Sequence, residues 1–353
     1  MEPSGRAVRV SSVVLVTGVA RYLGARFAKL LGDDPAIDRV VGIDVIPPTF
    51  DMGRCEFVRA DIRNPVVSKV IAKYDADTVV HMNVLATPRE AGGRVPQKEI
   101  NVIGTMQLLA ACQRSSSVRT LVVKSSTTVY GASSRDPVMF TEDMAPKVHP
   151  RSGYAKDSIE VEGYVRGFSR RRPDVGVSIL RFANFIGPTV RTPLTEYFTL
   201  PFVPVVLGHD ARLQFIHEDD GLAALRLATI ADRPGIFNVA GDGVLMLSQA
   251  ARRAGRPAVP LPGITASTIG ALLRRAKVAS FSPEQVQFLT YGRGVDTTRM
   301  RAEFGFEPRY TTAAAFDAFV QARCRDGLFD RDRVKQVERL IAEGVGARSR
   351  ADD

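Results

Sequence analysis

The sequence predicts an α/β protein, a Rossmann-type doubly wound parallel sheet with a smaller, interleaved C-terminal substrate-binding region. Three observations carry this. Short β-branched runs alternate with longer helical patterns through the first half, as βαβ units do. The first of these runs passes directly into a glycine-containing turn and then a helix. After Arg181 the alternation gives way to Pro- and aromatic-interrupted segments.

Strands are expected at Val13–Val16, Val40–Ile43, Glu56–Arg59, Thr78–His81, Thr120–Lys124 and Val177–Leu180. Their nearly continuous apolar character suits strands buried on both faces of a parallel sheet. Helices are expected near Leu23–Leu31, Val66–Tyr74, Glu99–Gln113 and Asp157–Ser169. Further on, Leu213–Asp220 and Gly235–Ala240 read as strands, and 245–293 and 297–322 as mixed helix and loop. From about Asp330 a charged helix, with Val334, Val337, Leu340 and Ile341 on one face, leads into a polar tail.

Composition narrows the partners. At 353 residues, 45% apolar and 24% charged, the chain can bury a large core. Its formal charge of +10 comes mostly from arginine, but the basic residues are scattered, with only short clusters such as Arg170-Arg171-Arg172. Aromatics make up 7%, and no recognition helix, zinc-ligand pattern or RNA-binding signature is present, which argues against nucleic acid. Cys55, Cys112 and Cys324 lie far apart without CxxC spacing, as reduced thiols do, so neither a disulfide nor a metal is expected. Val13–Val16 is too short to span a bilayer, and Met1–Ser12 lacks the pattern of a signal peptide. No transmembrane segment and a cytoplasmic location are therefore expected.

The run Val13–Val16 enters Thr17-Gly18-Val19-Ala20-Arg21-Tyr22-Leu23-Gly24 and then a helix. A strand, a tight glycine turn and a helix N-terminus form an anion site, because free N–H groups and the helix dipole face the phosphates. Gly18 would make the turn, and Gly24 would let the helix pack closely on the sheet. Asp44 ends the second strand about twenty residues later, where an acid can accept from the adenosine ribose hydroxyls. An acid there repels a 2′-phosphate, so NAD is favoured over NADP. Asp61-Ile62, just beyond the third strand, suits an adenine contact.

These features resemble the extended short-chain dehydrogenase/reductases of the NAD-dependent epimerase/dehydratase family, UDP-glucose 4-epimerase among them, over nearly the whole length. Thr17–Gly24 is similar to that family's TGxxGxxG, with Arg21 in place of the middle glycine. A side chain there either blocks the pyrophosphate or folds back to bind it as a cation. The resemblance implies cofactor contacts from Tyr22, Leu23, Met82, Asn101, Tyr154 and Ser158 as well. It also implies a homodimer. The division that follows is an NAD-binding domain at 1–185 with return segments at about 212–245. A substrate-binding region covers 186–211 and 246–330, and a charged helix and tail cover 331–353.

Lys124-Ser125-Ser126-Thr127-Thr128-Val129-Tyr130-Gly131 resembles the family's strand-end serine motif, which gives Ser126 the role of hydrogen-bonding the substrate oxygen. Ser152-Gly153-Tyr154-Ala155-Lys156-Asp157-Ser158 resembles YxxxK, with Tyr154 as general base. An unperturbed tyrosine has a pKa of about 10. The family lowers it with a lysine one helical turn on, which shares the tyrosine's face. Here that position is Ser158. Lys156 is the nearby substitute, but two residues rotate roughly 200° around a helix. It could serve only if Tyr154 preceded the helix.

Arg181-Phe182-Ala183-Asn184-Phe185-Ile186-Gly187-Pro188 resembles RxxNxxGP, in which the asparagine, here Asn184, contacts the diphosphate of a nucleotide sugar. Phe215-Ile216-His217 resembles a later block normally preceded by a diphosphate-binding arginine. Leu213 holds that place, and Arg293 is another cation where the family often has one. His81 and His217 read as structural. Three functions remain open: hydride transfer to and from NAD on a nucleotide sugar, an NAD(H)-binding sensor or scaffold with impaired chemistry, and an oxidoreductase on a steroid- or lipid-like alcohol.

Overall fold

The computed structural model describes residues 11–86, 91–150, 153–231, 233–261 and 282–324. Its strands in chain order begin with β1 (Ser11–Thr17), β2 (Ile37–Asp44), β3 (Glu56–Arg59), β4 (Thr78–His81), β5 (Thr120–Ser126) and β6 (Gly176–Phe182). Then come β7 (Asn184–Ile186), β8 (Val203–Val206), β9 (Arg212–Leu213), β10 (Phe215–His217) and β11 (Gly235–Val239). The last two are β12 (Leu245–Met246) and β13 (Ala258–Leu261). Seven of these form one parallel sheet in the order β11-β6-β5-β4-β1-β2-β3.

Alternation along each strand decides which helices it holds, because successive side chains point to opposite faces. Val14, Val40, Val80, Val122 and Leu180 face one side and pack with Phe27 and Leu31 of helix Tyr22–Gly32 and Leu222 and Leu225 of helix Glu218–Ile230. Leu15, Val41, Val79, Leu121 and Ile179 face the other side. There they meet Val67 of helix Val66–Tyr74, Leu108 of helix Thr105–Arg114, and Val161 and Phe168 of helix Gly153–Arg171. Cover on both faces is why these strands carry so few polar residues.

The C-terminal half builds a separate core from Tyr197, Phe198, Val203, Leu213, Leu289, Phe316 and Phe319. It rests on short pairs, β10 with β7, β12 with β9 and β13 with β8, and on helices Pro193–Phe198, Leu247–Arg253, Pro283–Tyr291 and Thr312–Arg323. The apolar 199–207 segment contributes to it through β8, with Val203 fully buried.

Three sequence expectations need correction. Leu213–Asp220 is not one strand: β10 ends at His217, and Glu218, Asp219 and Asp220 are the first turn of helix Glu218–Ile230. His217 Nδ1 accepts from Asp219 N at 3.2 Å, and three acids suit the positive end of a helix. The helix expected at Glu99–Gln113 is instead continuous from Arg94, through a π-helical turn at Glu99–Gly104, to Arg114. The helix expected at Asp157–Ser169 starts earlier, at Gly153, and runs to Arg171. The charged stretch 331–353 and Ser152 lie outside the described residues. Among the described residues no helix is long and apolar enough to cross a membrane.

Candidate functional site

Strand order reverses between β1 and β4, and at such a point the carboxyl ends of parallel strands part into a crevice. A cavity of about 1130 Å³ occupies this side of the sheet. Gly18, Arg21, Tyr22, Leu23 and Gly24 border it, as do Met82, Val84 and Leu85. Ser126, Tyr154, Asn184 and Arg293 line the remainder.

The turn after β1 is shaped by its two glycines. Gly18 has φ +81, and a Cβ there would come 3.1 Å from Asn83 Cα. Gly24 lies against the same turn, where a Cβ would fall on the Gly18 carbonyl oxygen. Helix Tyr22–Gly32 therefore starts flush against the end of β1. Arg21 occupies its N-cap in an extended conformation (φ −98, ψ 152), which demands no glycine. The departure from the TGxxGxxG pattern costs the backbone nothing; what it changes is the side chain bordering the cavity.

Five expected cofactor residues, Asp44, Asp61, Ile62, Asn101 and Ser158, lie off the cavity wall. Asp44 is buried at the end of β2, with Oδ2 accepting from Ala20 N at 3.0 Å and Oδ1 from Val45 N at 2.7 Å. Asp61 is paired with Arg63 at 2.7 Å, which holds its carboxyl below the usual range. Ile62 is 2% exposed and packs where a Cβ on Gly104 would otherwise be. Asn101 is fully buried, accepting from Leu85 N at 2.7 Å and donating to Leu85 O at 3.0 Å, so it clamps the segment after β4.

Helix Gly153–Arg171 carries Tyr154 to the cavity wall. Tyr154 sits in its first turn, half-buried against the core beneath the helix. The condition under which Lys156 could have replaced the missing lysine is not met, because Tyr154 lies inside the helix. Lys156 is instead directed to Glu160, 3.8 Å away along the helix, and does not border the cavity. Ser158 donates its hydroxyl to the Tyr154 carbonyl at 2.9 Å, and it too is off the cavity wall.

Two contacts that the sequence did not reveal fix this helix. Asp157, fully buried, accepts from both terminal nitrogens of Arg94 at 2.6 and 2.7 Å, a bidentate pair. Glu284, from the C-terminal half, places its carboxylate at the helix N-terminus, with Oε2 accepting from Ala155 N at 3.4 Å. Burial pushes the Glu284 carboxyl above its usual range. Neither partner had a local signal, since each lies far from the helix in sequence. The carboxylate also explains the early helix start, because an anion stabilises the first turn.

Beneath Ser126 lies a buried polar network. Glu162 accepts from Ser125 Oγ at 2.6 Å and from Arg181 Nη2 at 2.7 Å. Arg181 Nη1 donates to Tyr130 Oη at 2.7 Å, and Tyr130 Oη donates to Asn238 Oδ1 at 2.7 Å. Ser126 Oγ, on the cavity wall, accepts from Thr128 N at 3.2 Å. Lys124 on β5 also lines the cavity, its Nζ 5.5 Å from the Phe185 ring centroid. The one signal for Lys124 was a charge directly after the apolar run Leu121–Val123. His81 bridges Thr17 Oγ1 at 2.9 Å and Thr105 Oγ1 at 2.8 Å, and His217 stacks on Tyr310 at 3.9 Å.

A parallel sheet with a glycine turn at its switch point and a cavity running to a tyrosine-bearing helix defines the class, a Rossmann-type nucleotide-binding protein. Within that class, residues 14–240 match the NAD dependent epimerase/dehydratase family. The protein belongs to this family, whose members depend on NAD. It is 49% identical over 330 residues to an uncharacterised protein of Mycobacterium tuberculosis, covering 92% of this chain and 88% of that one. Two solved structures share the fold. One is a UDP-glucose 4-epimerase of Thermotoga maritima with UDP-glucose (TM-score 0.68, 18% identity, covering 88% of this chain and 98% of that one). The other is a UDP-glucuronic acid 4-epimerase of Bacillus cereus with UDP-glucuronic acid and NAD (TM-score 0.66, 19% identity, covering 92% and 99%).

Proposed function

We propose that the protein is an enzyme that uses NAD to oxidise and re-reduce a carbon of a nucleotide sugar, with Tyr154 moving the proton and Ser126 binding the reacting oxygen. The observation that carries this reading is that Ser126 and Tyr154 line the same cavity as the Gly18–Gly24 turn. The similarity to epimerases solved with UDP-sugars and NAD supports it.

The residues present suit the dinucleotide. Gly18 and Gly24 leave the β1 turn free of side chains beside the N-terminus of helix Tyr22–Gly32, where a pyrophosphate is stabilised. Arg21, at that N-cap, adds a cation. Asp44, at the end of β2, is the acid for the adenosine ribose and disfavours a 2′-phosphate. Bound there, NAD supplies a hydride acceptor. Tyr154 Oη takes the proton of the substrate hydroxyl during oxidation and returns it on reduction. Ser126 Oγ already accepts from Thr128 N, and its own proton is directed to the substrate oxygen. Asn184 and Arg293 are assigned to the diphosphate of the sugar nucleotide.

A second reading, an NAD(H)-binding sensor with impaired chemistry, is favoured by Ser158, which stands in the lysine position and is engaged with the Tyr154 carbonyl. The two separate by experiment. The natural protein, Tyr154→Phe and Ser158→Lys are each titrated with NAD and UDP-sugars and assayed for epimerisation. Turnover by the natural protein that Tyr154→Phe abolishes supports the enzyme. NAD binding without turnover, with activity appearing only in Ser158→Lys, supports the sensor.

A further inference from the structure

The 187–192 segment leads from β7 to helix Pro193–Phe198, and Thr189, Val190, Arg191 and Thr192 within it line the cavity. A connecting segment has no ladder of its own, so other groups must satisfy its backbone and set the directions of its side chains. At its far end a capping box does this. Thr195 N donates to Thr192 Oγ1 at 3.1 Å, and Thr192 N donates to Thr195 Oγ1 at 2.8 Å. In its middle the partner is Glu218. Thr189 N donates to Oε1 at 3.2 Å and Val190 N to Oε2 at 2.6 Å, so a single carboxylate holds successive amides.

Glu218 opens helix Glu218–Ile230, but its side chain is not turned to that helix. Asp219, beside it, is 48% exposed, the ordinary state of an acid that complements a helix N-terminus. Glu218 is 3% exposed, and both of its oxygens face the cavity segment. A Cβ on Gly187 would come 2.7 Å from Glu218 Cγ, so the carboxylate is seated against a glycine. From the other side Arg26 Nη1 approaches Oε1 to 3.6 Å, while Nη2 donates to Asp219 Oδ1 at 2.7 Å. Arg26 Nη1 also donates to Tyr22 Oη at 2.9 Å, and Tyr22 lines the cavity. Contacts therefore run unbroken from the helix after the glycine turn to the 189–192 edge. The amide bonds are the stronger part of this chain. A carboxylate makes them about twice as strong as neutral hydrogen bonds, whereas an ion pair with a partly exposed arginine adds little.

We infer that Glu218 is a positioning residue, fixing the 189–192 edge of the cavity in advance so that Thr189 and Arg191 meet the sugar nucleotide already ordered. Ordering a loop on binding subtracts from affinity, and an edge held beforehand avoids that loss. The inference deepens the proposed function and rests on it for the ligand that this edge meets. The β1 turn is shaped by its own glycines, so the effect of Glu218 falls on the sugar nucleotide and not on NAD.

The test follows amide hydrogen exchange in the full chain, and measures its affinities for UDP-glucose and for NAD separately by calorimetry. In the natural chain the Thr189 and Val190 amides are expected to be protected without ligand. Glu218→Gln is nearly isosteric but turns an NH2 group toward one of the amides. It is expected to speed exchange at both and to weaken UDP-glucose binding by about fivefold or more, with NAD affinity kept within about twofold. Gly187→Ala, which displaces the carboxylate without removing its charge, is expected to act in the same way, so the test does not depend on one variant folding. Free exchange of both amides in the natural chain overturns the inference and needs no variant. So does unchanged exchange in both variants, an equal loss of NAD and UDP-glucose affinity, or faster exchange with UDP-glucose affinity unchanged. A natural chain that binds no UDP-sugar refutes the proposed function, while faster exchange in Glu218→Gln would still uphold the hold of Glu218 on the edge.

Discussion

The Ser158 hydroxyl donates to the Tyr154 carbonyl at 2.9 Å, one turn apart on the helix that presents the phenol to the cavity. The position where the resemblance to YxxxK would place a lysine here closes a bond within its own helix. Such back-bonding adds little to helix stability. Ser158→Ala is accordingly expected to change unfolding free energy by less than about 1 kcal/mol and to leave NAD affinity within about twofold. Urea denaturation and a calorimetric NAD titration check this. A loss of binding beyond tenfold would show that the serine contacts the cofactor directly.

Arg181 and Glu162 form the centre of the network under Ser126, at 8% and 2% side-chain exposure. Arg181→Met leaves Glu162 with only Ser125 and the half-exposed Arg166 as partners, and deprives Tyr130 Oη of a donor. The expected destabilisation is about 3–5 kcal/mol, because one partner of a buried pair is removed. Urea midpoints of the two proteins measure it. A cost under about 1 kcal/mol would mean that water replaces the guanidinium.

His81 gives the fold an acid limit. Burial, with Lys124 adding in the same direction, pushes its pKa down to about 4 from an unfolded value near 6.5. The folded state thus holds His81 neutral while the unfolded chain takes up a proton first. Its contribution is fully present above pH 6.5 and is lost as pH falls toward 4, by about 3 kcal/mol in all. Stability measured across that window should slope accordingly. His81→Gln should flatten the slope in that window whatever its effect on absolute stability, and a slope that persists unchanged would assign it to other groups.

Arg21 makes a prediction of opposite sign to the blocking role considered from its position in the glycine pattern. Its extended backbone needs no glycine, and its side chain borders the cavity at a helix N-terminus. As a pyrophosphate ligand it is worth about 1.5–3 kcal/mol, the range of hydrogen bonds to charged groups. Arg21→Ala should therefore weaken NAD binding by about tenfold or more, read by fluorescence titration. Tighter binding in the variant would restore the view of Arg21 as an obstruction.

Much of the fold was legible in the chain. Val13–Val16, Val40–Ile43 and Thr78–His81 announced β1, β2 and β4, because strands covered on both faces cannot disguise themselves with polar residues. Leu213–Asp220 misled because β10 passes into a helix without a turn. Its three acids, read as the polar end of a strand, are the first helical turn. In the site, Gly18, Gly24, Ser126 and Tyr154 share a cavity because each sits at the end of a strand or the start of a helix, where local pattern fixes position. Arg94 and Glu284 were illegible for the converse reason: their partners lie 63 and 129 residues away, and nothing in their neighbourhoods records the distance.

The carboxylate of Glu284 on the first turn around Tyr154 has a consequence for assembly. The tyrosine is carried by the dinucleotide half, but the turn that holds it is finished by a side chain contributed late in the chain, past residue 281. A fragment ending before Ser282 could complete its seven strands and still fray around Tyr154. The glycine turn after β1 and the first turn around Tyr154 would then mature at different moments of folding, the second only when the C-terminal half docks.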